Sequence, residues 1–123
     1  MIYYIMSNNF EETFCNLPLT KRLEECVRIR RKFPDRVPVI VQRANTKILD
    51  IDKHKYLVPA DMPIGQLFIT IRKRLTLKSD QGLYMFINNT LPKQTELISI
   101  IYRDHKDKDG FLYVKYDIES TFG

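Results

Sequence analysis

Glycine is scarce in this chain. The four glycines stand at positions 65, 82, 110 and 123. None are clustered, which excludes a glycine-rich phosphate loop. Cysteine is scarcer still: Cys15 and Cys26 form no CxxC pair and stand at no ligand spacing from a histidine. That excludes a zinc site and fits a reduced, cytosolic protein. The sequon Asn88-Asn89-Thr90 is then a chance match. Long apolar runs are missing. The opening "MIYYIM" lacks a basic start and a cleavage site, so it is no signal peptide, and nothing approaches a membrane span. Repeats and low-complexity stretches are absent. "DHKDKDG" has acids at 104, 107 and 109. Interleaved lysines and a missing terminal glutamate spoil it as a calcium loop, so it reads as a polar helix end and turn. His54 and His105 have no partner in view. An enzyme would need a nucleophile with a base, paired carboxylates or a phosphate loop, and none is present.

The 123 residues suit one domain able to bury about two-thirds of its unfolded surface. Seven Tyr and seven Phe supply the core. The net charge of +5 is uneven: residues 21 to 55 hold eleven Lys or Arg against five acids, residues 76 to 123 six against seven. Basic surfaces attract nucleic acid, anionic lipid or acidic peptides. An RNA-binding module is therefore a rival reading, but the aromatics sit at core spacing and no stacking motif appears.

Along the chain, "MIYYIM" reads as a loose or edge-packed terminus. Asn8 and the following acids open a short helix over 8–16. Leu19, Leu23, Cys26, Val27, Ile29 and Phe33 recur at helical spacing until Pro34 ends the helix. "VPVIVQR" (37–43) is a β-branched strand with Pro38 near its start. "KYLVP" (55–59) is a short edge strand. Ile64, Leu67, Phe68, Ile71 and Leu75 share one helical face. "LYMFIN" (83–88) is a strand. A helix over 96–105 turns Leu97, Ile98, Ile101 and Tyr102 inward. The last strand puts Leu112, Val114, Tyr116 and Ile118 on one face and Phe111, Tyr113 and Lys115 on the other. Two helices followed by β-β-α-β-α-β predict an α+β, ubiquitin-like β-grasp: a four-stranded mixed sheet gripping a central helix. The two additional N-terminal helices cover the other face.

"KFPDRVPVIV" (32–41), "KYLVPADMPIGQLFITIRKRL" (55–75), "HKDKDGFLYVKY" (105–116) and "ESTFG" (119–123) closely resemble the autophagy ubiquitin-like modifiers, the family of the GABA-receptor-associated protein and its yeast relatives. The resemblance runs from about Pro18 to Gly123. It implies no enzyme and no cofactor. It implies a modifier whose terminal glycine, Gly123, is passed between E1-like activating and E2-like conjugating enzymes as a thioester. That glycine is then joined to phosphatidylethanolamine and later released by a deconjugating cysteine protease. The implied location is the cytoplasm, and the autophagosome membrane once lipidated. A protein acceptor is the alternative. A terminal glycine suits acyl transfer because no Cβ blocks a narrow enzyme groove. Phe122 would anchor the tail there. The expected division is an extension over 1–17, the ubiquitin-like domain over 18–119 and a conjugation tail over 120–123.

The family also binds short aromatic-x-x-aliphatic peptides, the motif of autophagy receptors, as an added strand on a sheet edge. By resemblance, a first pocket would be lined by Glu25, Ile29, Pro38, Ile40, Lys55, Leu57 and Phe111. A second would be lined by Tyr56, Val58, Pro59, Met62, Leu67 and Thr70. Thr70 stands where the family usually has a larger aliphatic residue, so a weaker grip on the aliphatic side chain, or a preference for a bulkier one, is expected. Arg36, Lys53, Lys55 and Arg74 would form a basic rim for acids beside the motif. For "RKR" at 72–74, a binding rim and a solvated face are equally good readings. No nucleic-acid partner is expected.

Overall fold

The structure, a computed structural model, describes residues 2–4, 14 and 16–120. Its elements are β1 (Tyr3–Tyr4), α1 (Leu19–Lys32), β2 (Arg36–Arg43), β3 (Lys55–Pro59), α2 (Ile64–Leu75), β4 (Gln81–Phe86), α3 (Ile98–His105) and β5 (Leu112–Ser120). The helix expected over 8–16 falls mostly outside the described residues; within it, Phe14 and Asn16 lie in turns.

The sheet runs β1-β3-β2-β5-β4. β2 and β5 pair in parallel at its centre, while β3 on β2 and β4 on β5 are antiparallel. These four strands are the mixed sheet of the expected ubiquitin-like grasp. The two-residue β1 adds antiparallel to the free side of β3. "KYLVP" is therefore a strand with the expected bounds but not the edge, because the chain's own start covers it.

β2 explains the layering. Val37, Val39 and Val41 enter one core with Ile64, Leu67, Ile71 and Leu75 of α2 and Ile98 and Ile101 of α3. Ile40, on the opposite face, joins Cys26 and Ile29 of α1. A β-branched run buried on both sides needs a helical layer on each. The β5 alternation matches its expectation: Leu112, Val114, Tyr116 and Ile118 line the first core, and Phe111 and Tyr113 the second.

Two expectations need correction. Only Cys26 and Ile29 of α1 are buried; Leu19, Leu23 and Val27 are 41 %, 42 % and 42 % exposed. Their spacing of four traces a second stripe about 100° away from the buried one. Leu97 is 37 % exposed because it precedes α3 as its extended cap residue. "RKR" closes α2, where cations complement the helix dipole. Arg74 also forks onto Asp52 at 3.0 and 2.6 Å, and Arg72 donates to Lys78 O at 3.2 Å.

The connection from β2 to β3 is held by one buried hydroxyl. Tyr116 Oη donates to Leu49 O at 2.7 Å and accepts from Ile51 N–H at 2.8 Å. Burial pushes its phenol up to about 12, so it stays protonated and able to donate. Tyr116→Phe would strand the Ile51 amide and the Leu49 carbonyl. It is expected to cost about 1–3 kcal/mol in urea unfolding, seen as a lower midpoint at constant slope. An unchanged midpoint would contradict this role.

Candidate functional site: the outer edge of β3 and the pocket beside it

Val41 N–H donates to His54 O at 2.8 Å, which marks that facing pair as hydrogen-bonded. The β2–β3 register puts Val39 opposite Tyr56 and Val37 opposite Val58. Antiparallel alternation then turns the Tyr56 and Val58 amides toward β2 and the Lys55 and Leu57 amides outward. Pro38 sits opposite Leu57, so its missing N–H falls on the β5 side. There the β2–β5 ladder begins only at Val39. The proline therefore removes no ladder bond. The outward row of β3 meets β1, with Tyr3 opposite Leu57 and Tyr4 opposite Tyr56.

On the α1 side of β3, Ile29, Ile40, Leu57 and Phe111 come together with Cys26. Pro38 is buried on the neighbouring strand. Lys55, 3 % exposed, is ion-paired to Glu25 of α1. All seven residues expected to line the first pocket are thus in one place. The pocket is filled. Phe14 is 2 % exposed and meets Phe111 edge-on, with ring centroids 5.3 Å apart at 85°. The Lys55 ammonium lies 4.3 Å from the centroid of the Phe14 ring. A cation over an aromatic face and an edge-to-face pair are both favourable geometries.

The pocket floor is set by a turn. Asp109, with no exposed surface, accepts from Phe111 N–H at 2.9 Å and from the Tyr113 hydroxyl. Arg22 Nε stands 3.5 Å away. Burial raises the Asp109 carboxyl above its ordinary value, against the opposing pull of those hydrogen bonds. Gly110 follows at φ +88°, and a Cβ there would fall 2.5 Å from Cys26 Sγ. Only glycine lets α1 approach this closely. Burial pushes the Cys26 thiol up to about 11, which leaves it a packing group and not a nucleophile near neutral pH.

On the other side of β3, Tyr56, Val58 and Leu67 are fully buried in the main core, and Met62 packs against it. Pro59 and Thr70 are half-buried. Thr70 Oγ1 donates to Gln66 O at 3.0 Å, so its hydroxyl is turned back onto its own helix. Ile2, opposite Val58 by the β1 register, packs against the same core. Around the groove, Arg36 and Lys53 are half-buried, and Arg74 is engaged by Asp52. Phe122 and Gly123 lie outside the described residues. Among the described residues, no group of three or more His, Cys, Asp or Glu could hold a metal ion, and no helix is long and apolar enough to cross a membrane.

Sequence reasoning missed Phe14 and Asp109, and it read residues 1–6 as a loose or edge-packed terminus without saying which edge Ile2 and Tyr3 would meet. Phe14 was legible only as a stray aromatic in "FEETF" ahead of Pro18. Asp109 was hidden in a charged run that reads as surface.

Residues 21–123 match the family model described as autophagy protein Atg8, ubiquitin-like. Autophagy-related protein 8a of Arabidopsis thaliana is 51 % identical over 107 residues, covering 86 % of this chain and 88 % of that protein. Autophagy-related protein 8 of Kluyveromyces lactis is 49 % identical over 119 residues, covering 96 % and 94 %. Among solved structures, the crystal structure of Trypanosoma brucei ATG8 superimposes with a TM-score of 0.79 at 33 % identity, covering 96 % of this chain and all of that one. Plasmodium falciparum Atg8, in complex with a Plasmodium falciparum Atg3 peptide, gives 0.76 at 31 %, covering 91 % and 96 %.

The raised carboxyl of Asp109 has a testable sign. A folded-state pKa above the unfolded one means the native state holds the proton more tightly. The favourable contribution is then full below pH 3.8 and is lost as pH rises through the folded value. In urea titrations between pH 3 and 7, the native chain should lose stability relative to Asp109→Asn as pH rises. A difference independent of pH would refute the assignment.

Proposed function

The chain belongs to the Atg8 family of ubiquitin-like autophagy proteins, and we propose that it acts as a modifier joined through Gly123 to phosphatidylethanolamine. The observation that carries this reading is the family match, which spans the whole grasp and runs to Gly123 itself. β5 ends at Ser120, three residues before that glycine. In the proposed chemistry the Gly123 carbonyl is held as a thioester on an enzyme cysteine. The lipid amine attacks it, an amide bond forms, the thiolate leaves and the amine proton passes to solvent. The chain supplies the electrophile and its partners supply the catalysis. That the Plasmodium neighbour was solved with an Atg3 peptide supports a partner from the conjugation pathway.

The second half of the proposal is recruitment. The outward amides of β3, with an aromatic pocket on one side and an aliphatic surface on the other, suit a peptide of the form aromatic-x-x-aliphatic. Burying one side chain of each kind contributes about 1.5–3 kcal/mol apiece before ordering costs. Affinity should therefore be modest and lean on acids near Lys53 and Arg36, weakening as salt rises. Lipidated molecules on an autophagic membrane would gather receptors through this groove.

Incubation with the cognate activating and conjugating enzymes, ATP and phosphatidylethanolamine liposomes tests the first half. A membrane-bound product carrying the mass of one lipid is expected, and it should vanish in Gly123→Ala. Attachment to protein lysines with none to lipid would favour the protein acceptor instead.

A further inference from the structure

We propose that Ile2, Tyr3 and Phe14 together are an internal competitor for the peptide groove, so that a partner motif binds only by displacing them. This rests on the peptide-groove reading above and says how that groove is regulated.

Three independent contacts carry the inference. Backbone comes first: β1 takes the outer side of β3, where an incoming peptide would have to add. The aromatic pocket is second. Phe14 is seated against Phe111 under the Lys55 ammonium, in the place a partner's aromatic ring would need. Third is the aliphatic side, where Ile2 is partly buried against the main core, of which Val58 and Leu67 are members. The chain thus presents strand, aromatic and aliphatic groups to the three features a ligand would use.

The occupants are also of a kind that can leave. Among the described residues, β1 is two residues long and pairs with β3 only. Short edge strands open at low free-energy cost compared with the sheet centre. The family match begins at residue 21, so Ile2, Tyr3 and Phe14 lie upstream of the part matched to the family model. A groove open for a fraction f of the time binds with an affinity weakened by that fraction. If the groove is occupied about nine-tenths of the time, opening it strengthens binding about tenfold.

The test uses the full chain and a fluorescein-labelled decapeptide, Ser-Ser-Asp-Asp-Trp-Thr-Ser-Leu-Ser-Ser, read by fluorescence polarisation. Phe14→Ala should bind it about tenfold more tightly than the native chain. Tyr3→Pro removes the backbone N–H that faces Leu57 across the β1–β3 pair and should also tighten binding several-fold. Circular dichroism melts show that each variant is folded. A merely structural role for Phe14 would lower the melting temperature and leave affinity unchanged or weaker. Equal affinity of Tyr3→Pro and the native chain overturns the competitor while leaving the groove in place. Absence of binding by all three proteins overturns the groove, and the competitor with it.

Discussion

The outer edge of β3 is the constraint on which this molecule turns. Two of its amides, those of Lys55 and Leu57, point away from β2 and must be satisfied by something. The rest of the fold fixes that side of β3 in place and gives it walls. β2 is buried on both faces and anchors β3 from within, with Pro38 set where its missing amide does no damage. α1 forms one wall, fastened through the Lys55–Glu25 ion pair and the close approach of Cys26 to Gly110. α2 and the main core form the other.

The ion pair and Asp109 show how burial of charge is made tolerable. Lys55 has an opposite charge and an aromatic face above it, so the ammonium is compensated although it is almost fully covered. Asp109 is fully buried and spends its acceptors on the Phe111 amide and the Tyr113 hydroxyl. It works as a positioning residue: it fixes the backbone from which the Phe111 ring projects into the pocket. A ring held by its own main chain offers a flat, reproducible surface to whatever aromatic group meets it, including Phe14.

Much of this was legible in the sequence, and the reasons differ by element. The strands of residues 37–43 and 55–59 announced themselves through β-branching and flanking prolines, and the β5 alternation sorted its two faces correctly. The first-pocket residues were reached by resemblance, and four of them, Ile29, Ile40, Leu57 and Phe111, pack in one cluster. α1 was misread at Leu19, Leu23 and Val27 because a spacing of four fits two adjacent stripes equally well, and only tertiary packing chooses between them. Asp109 was invisible because a charged run carries no mark of which member will be buried. That the edge-packed start would be a strand on β3, and that Phe14 would fill the pocket, were missed for a plainer reason. A two-residue pairing has no period to detect, and a lone aromatic gains meaning only when the pocket it enters is seen.

Amide hydrogen exchange at Leu57 tests the central claim most directly, because this amide has no partner in β2 and faces β1. If the chain closes its own edge, the Leu57 amide is protected in the free protein. Tyr3→Pro should then release it while the Val58 amide, which faces β2, stays protected. Exchange of Leu57 at the rate of an unstructured amide in the native free chain would contradict the account.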